Sequence, residues 1–181
     1  SLVLGRARLG AIARHPLPLA QPVWLLGAIA RSAMMVGALE AALEQSVRYA
    51  GERVQFGKPI GRNQAIQQNL ALMAGDVAAA RMAALTATLD AGGDWRSTLF
   101  SAAVAKVRAG EAATRGCGIA HQVHGAIGFT HEHPLHFATR RLWAWREEFG
   151  TDAYWAAELG RAAIRARASG FWPALTRKQF A

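Results

Sequence analysis

The chain has 181 residues, 52% of them hydrophobic, which is enough to bury a core of its own as one domain. One cysteine, Cys117, excludes a disulfide within the chain and fits a reducing compartment, and the absence of any alternating β-branched run leaves little for a sheet to stand on. The formal net charge of +9 attracts polyanions, but Arg31, Arg48, Arg53, Arg81, Arg108, Arg140 and Arg161 are dispersed rather than massed, which argues against a nucleic-acid-binding arm.

Residues 1–21 carry Gly5, Gly10, Pro16 and Pro18 and are expected to be a linker or the remnant of a preceding element. From residue 23 to 52, Leu26, Ile29, Ala33, Val36, Leu39, Leu43 and Val47 recur at three- and four-residue spacing and predict one long amphipathic helix. Residues 22–43 are apolar but are interrupted by Arg31, Glu40 and small residues, so they do not read as a membrane span. No signal-peptide pattern is visible, and the expectation is a soluble, cytoplasmic protein. The run Gly57-Lys58-Pro59-Ile60-Gly61 ends the first helix, and Asn63 is placed to cap a second. That helix carries Ile66, Leu70, Met73, Val77, Ala80, Ala84 and Leu85 to about Asp90.

A third helix is predicted from Ser97 to about His124, with Phe100, Val104, Val107, Ala112 and Ile119 on its buried side. A fourth covers Leu135 to about Glu148, and a fifth runs from Asp152 to Ala168 with Trp155, Leu159, Ala163 and Ile164 inward. Residues 169–181 read as a short basic tail. Alanine- and leucine-rich helices joined by brief loops make an all-α, up-and-down four-helix bundle with short extra helices over residues 22–168.

Residues 122–134, QVHGAIGFTHEHP, break the helical pattern with Gly125 and Gly128. So little side-chain bulk lets a backbone approach a flat or phosphorylated ligand. A plain glycine-capped helix end followed by a polar loop explains the same residues.

Taken together with residues 49–61, YAGERVQFGKPIG, this turn resembles the C-terminal helical domain of acyl-CoA dehydrogenases, flavoproteins that oxidise the Cα–Cβ bond of acyl-CoA thioesters. The resemblance covers about residues 23–165. It implies a bundle that assembles homo- or hetero-oligomers, dimers or tetramers, and lends residues to the FAD of a neighbouring subunit. It also implies an acyl-CoA substrate and an electron-transfer flavoprotein or similar acceptor. Arg53 would meet the flavin pyrophosphate, although a surface ion pair with Glu52 or Asp76 would equally occupy it. Phe56 would wall an aromatic ring or simply pack, and Gln64 would touch the cofactor or face solvent. Gln122, Val123, His124, Gly125 and Ala126 would approach the dinucleotide by backbone, and Thr151 fits a cofactor-contacting threonine, while Ala153 replaces the family's glutamine.

The base that removes the α-proton is where the pattern departs. The slot that holds glutamate in most relatives holds Phe149, and the family's other location, near Gly27, also has no carboxylate; the arginine expected next to it is Ala28. Either Glu148 reaches the site as catalytic base, or the chain is a non-catalytic partner or assembly subunit. A polyanion-binding helical module is a third expectation, resting on charge alone. The run His131, His133, His136 is read as loop and helix-cap groups rather than a metal site. The tryptophans are assigned to core and subunit contacts.

Overall fold

The computed structural model describes residues 21–178; the expectation for residues 1–20 lies outside the described residues. Among the described residues five α-helices build the domain: α1 (Pro22–Glu52), α2 (Gln64–Asp90), α3 (Trp95–His124), α4 (Leu135–Glu147) and α5 (Asp152–Thr176). The helix boundaries follow local chemistry. Asn63 accepts from the Ala65 N–H and starts α2, Asp94 accepts from Ser97 N and starts α3, and Thr151 accepts from Tyr154 N and starts α5. α1 and α2 are long and apolar enough to cross a membrane by length and composition, yet each turns a buried stripe into the shared core.

A two-residue hairpin, β1 (Val54–Gln55) against β2 (Lys58–Pro59), joins α1 to α2 and is an addition to the all-α expectation. Its turn places Phe56 at φ 50° and Gly57 at φ 76°, the paired positive angles of a type I′ turn.

α3 is the central element and packs against α1, α2, α4 and α5. For that reason small residues line it on almost every side: Ala102, Ala103, Ala105, Ala109, Ala112, Ala113, Gly116 and Ala120 are all buried. The expected inward residues Phe100, Val104 and Val107 are only half-buried, because a helix enclosed by neighbours fills its contacts with alanine and glycine. On α1 the buried stripe is Leu25, Ala28, Ile29, Ser32, Met35, Val36 and Leu39, so Leu26, Ala33 and Val47 face outward, against expectation. Ile164 is exposed as well.

The last helix is longer than the expected Asp152–Ala168. α5 continues across a kink at Arg167 (φ 56°, ψ 171°) to Thr176, and Lys178 Nζ reaches back to Asp90 Oδ2 at 2.8 Å. Of the tryptophans, Trp155 is buried in the core while Trp24, Trp95, Trp143 and Trp172 are exposed.

Candidate functional site

At the C-terminal ends of α1 and α3 the helices leave a cleft of about 530 Å³ lined by Tyr49, Arg53, Gln55, Asn63, Gln122 and residues 123–127, among others. α3 stops here because Gly125 takes φ 63° and ψ −143°, a conformation reserved for glycine. A Cβ on Gly125 would meet nothing within 4 Å, so the glycine answers a backbone requirement and the space beside it belongs to the cleft. Gly128 differs: a Cβ there would lie 2.9 Å from the His124 Cβ, so it is a packing glycine.

Arg53 ends α1, and the hairpin closes on its carbonyl through the Ile60 N–H at 2.9 Å. Neither ion pair expected of it forms among the described residues, because Asp76 is taken by Arg108 and Arg115. Arg53 lines the cleft, and among the described residues no carboxylate pairs with it. Gln64 and Phe56 do not line the cleft: Gln64 is exposed beside Asn63, and Phe56 is fully exposed at the hairpin tip.

An aromatic stack backs the cleft. The Tyr49 ring lies on His124 at 4.6 Å and 26°, and His133 touches His124 at 4.6 Å. His124 Nδ1 donates to the Ala120 carbonyl at 2.7 Å, which leaves Nε2 buried with no partner. Burial, reinforced by His133 and His121, holds the His124 pKa below its ordinary value, and burial does the same to His121. The unfolded chain therefore binds more protons than the folded one below about pH 6.5, and stability is lost as the pH falls through that value. Thermal unfolding from about pH 8 down to about pH 5 should show this fall, and H124F should flatten it. His133 and His136 serve the start of α4, His133 Nδ1 accepting from Leu135 N at 3.2 Å and His136 Nδ1 lying 2.9 Å from the His133 carbonyl. Among the described residues no group of three or more His, Cys, Asp or Glu could hold a metal.

Glu148, Phe149 and Thr151 lie at the other end. Gly27 is 22 positions before Tyr49 on α1, and at 1.5 Å per residue the two ends are about 33 Å apart. Here the Phe149 ring stands over Gly27: a Cβ built on Gly27 would lie 2.4 Å from ring atoms Cδ1 and Cε1. Trp24 meets that ring edge-on at 5.9 Å. Phe149 is held at φ 54° while its carbonyl accepts from Trp155 Nε1 at 2.9 Å. Glu148 points elsewhere, its Oε2 paired with Arg31 Nε at 2.5 Å. Lys106, buried in α3, donates to the carbonyls of Trp145 (3.2 Å), Arg146 (3.0 Å) and Glu148 (2.8 Å). Arg146 in turn holds Asp152 through two contacts of 3.1 and 3.0 Å.

A family model for the C-terminal domain of acyl-CoA dehydrogenases matches residues 20–164. The chain belongs to the acyl-CoA dehydrogenase family. Probable acyl-CoA dehydrogenase YngJ of Bacillus subtilis is 44% identical over 112 residues, 59% of this chain and 28% of that protein. Among solved structures, the ChsE4-ChsE5 complex from Mycobacterium tuberculosis matches with a TM-score of 0.76 and 29% identity over 81% of this chain and 40% of that chain. The glutaryl-coenzyme A dehydrogenase glutaryl-CoA complex matches with a TM-score of 0.75 and 29% identity over 82% and 38%. The chain thus spans 28% to 40% of the length of these members of the family.

Of the acyl-CoA dehydrogenase site residues nominated from sequence, Arg53 and residues 122–126 converge on one cleft, and Glu148 and Thr151 share the opposite end. Tyr49 and Asn63 also line the cleft and were given no ligand role by sequence; Tyr49 opens the YAGERVQFG run, which was the available signal.

Proposed function

We propose that this chain is the C-terminal domain of a subunit in an FAD-dependent acyl-CoA dehydrogenase, holding the dinucleotide half of a cofactor while supplying no catalytic base of its own. The observation that carries the second part is the Phe149 ring over Gly27, which puts hydrocarbon at both places where the family resemblance puts a carboxylate. Glu148, the remaining candidate for the base, is already engaged in an ion pair with Arg31.

The cleft fits an extended diphosphate. Arg53, which has no acidic partner among the described residues, offers a fork of donors to phosphate oxygens, and the Gly125 turn leaves its backbone open beside it. Tyr49 and His124 form a firm wall behind. FAD, when bound, would accept the hydride from the thioester β-carbon. The chain's own residues bind and orient it: Arg53 neutralises the diphosphate, Asn63 and Gln122 offer side-chain amides, and the turn admits close approach. The roughly 33 Å along α1 between this cleft and Gly27, at the end where Thr151 lies, is the reason to assign them to different copies of the cofactor, the cleft serving a neighbouring subunit. A hetero-oligomer in which a partner brings the carboxylate accommodates both observations.

The test is the flavin absorbance of the full-length protein, purified with its natural partners and without them. Flavin should co-purify, and R53Q should weaken its retention by about tenfold, the loss of roughly one charge-assisted hydrogen bond. The chain alone should not bleach its flavin with any acyl-CoA. Bleaching by the chain alone that disappears in E148Q would restore Glu148 as the base and overturn this reading.

A further inference from the structure

Near the first turn of α1 a second cavity, of about 250 Å³, opens among α1, α3 and α5, on the far side of the bundle from the Arg53 cleft. Its walls are Trp24, Leu25, Leu99, Ala103, Tyr154 and Trp155. Trp24 meets Tyr154 edge-on at 6.2 Å, and Tyr154 meets Trp155 at 5.3 Å and 83°, so the walls present ring edges and faces at right angles to one another. Walls of this kind accept a further flat ring in edge-to-face contact. The volume is small beside pockets for drug-sized ligands and suits a molecule of one or two rings.

The mouth is polar and carries an excess positive charge. Glu158 at the rim is neutralised by Arg161, whereas Arg165, also at the rim, is exposed and makes no ion pair among the described residues. α1 begins at the same mouth with no acidic residue in its first turn and no side-chain cap from Gln21, so its positive dipole end adds to the field of Arg165. Apolar aromatic walls under an unpaired guanidinium are the complement of a flat ring bearing a carboxylate, whose two oxygens match the guanidinium fork.

We propose that this cavity is a binding site for a small aromatic carboxylate, with the ring system between Trp24, Tyr154 and Trp155 and the carboxylate on Arg165. The site does not depend on the flavin reading, since none of its lining residues reaches the Arg53 cleft. It adjoins the closed end of the domain through Trp24, whose indole contacts both the cavity and the Phe149 ring.

Calorimetric titration of the purified protein with 2-naphthoate, and with 2-naphthamide as the uncharged control, tests the assignment. Naphthoate should bind with one-to-one stoichiometry and the amide about tenfold more weakly. R165Q, at an exposed position, should cost naphthoate about tenfold and leave the amide unchanged. L99W, which fills the cavity, should abolish binding of both; should L99W fail to fold by circular dichroism, W24A removes an exposed wall and should give the same loss. Absence of saturable naphthoate binding overturns the site, and so does binding that survives both L99W and W24A. Binding lost with the walls but untouched by R165Q overturns the carboxylate assignment.

Discussion

Gly27→Ala should destabilise the domain by about 1–3 kcal/mol, the usual cost of forcing extra volume into a packed site. The reason is specific. The added methyl would fall 2.4 Å from two carbons of the Phe149 ring, a separation that real side chains do not tolerate. The ring cannot easily swing aside, because Trp24 meets it at 5.9 Å and the Phe149 carbonyl is tied to Trp155 Nε1 at 2.9 Å. Phe149→Ala alone should also destabilise, through lost burial and loss of the contact with Trp24. In the double variant the methyl has room, so the combined loss should fall short of the sum of the single losses by about 1 kcal/mol or more. Urea unfolding of the four proteins measures this coupling, and strict additivity would show that the ring does not occupy the space over Gly27. The same coupling bears on function, since it ties together the two positions that lack a carboxylate.

Much of this arrangement was legible before the fold was known, where the signal was local. Asn63, Gly125 and the break between Glu148 and Asp152 mark helix ends because capping and positive φ are properties of a few consecutive residues. The register of α1 was less legible, since it is apolar almost all round and alanine at a given position is compatible with either face. Phe149 and Gly27 were each noted for the carboxylate they lack. That one fills the volume left by the other is a relation between residues 122 positions apart, and periodicity carries no information about it. Phe56 and Gln64 entered through motif position alone; the hairpin then set Phe56 at its exposed tip. Lys106 did leave a trace, standing in the α3 stripe Ala102, Lys106, Ala109, Ala113 where every other member is apolar.

That lysine should prove among the most costly residues to remove. α4 ends over the buried Lys106, whose ammonium reaches the last carbonyls, those of Trp145, Arg146 and Glu148, at 2.8 to 3.2 Å. A fully buried acceptor left unpaired costs about 1–3 kcal/mol, and these three part-buried carbonyls each forfeit a fraction of that. Against this, Lys106→Met spares the chain the desolvation of a buried cation and keeps the apolar stem. The net loss should be about 2–4 kcal/mol, read by urea denaturation, and a neutral or stabilising result would mean that desolvation outweighs the three hydrogen bonds. A second signature separates the charge from simple packing. Burial pushes the Lys106 amine down to about 8 from its ordinary 10.5, so between those values the unfolded chain binds a proton that the folded chain has released. Stability should therefore rise with pH across that window in the wild type relative to K106M. A loop held by one ammonium is also the loop that presents Phe149 to Gly27, so K106M should weaken the coupling between those two positions as well as the fold.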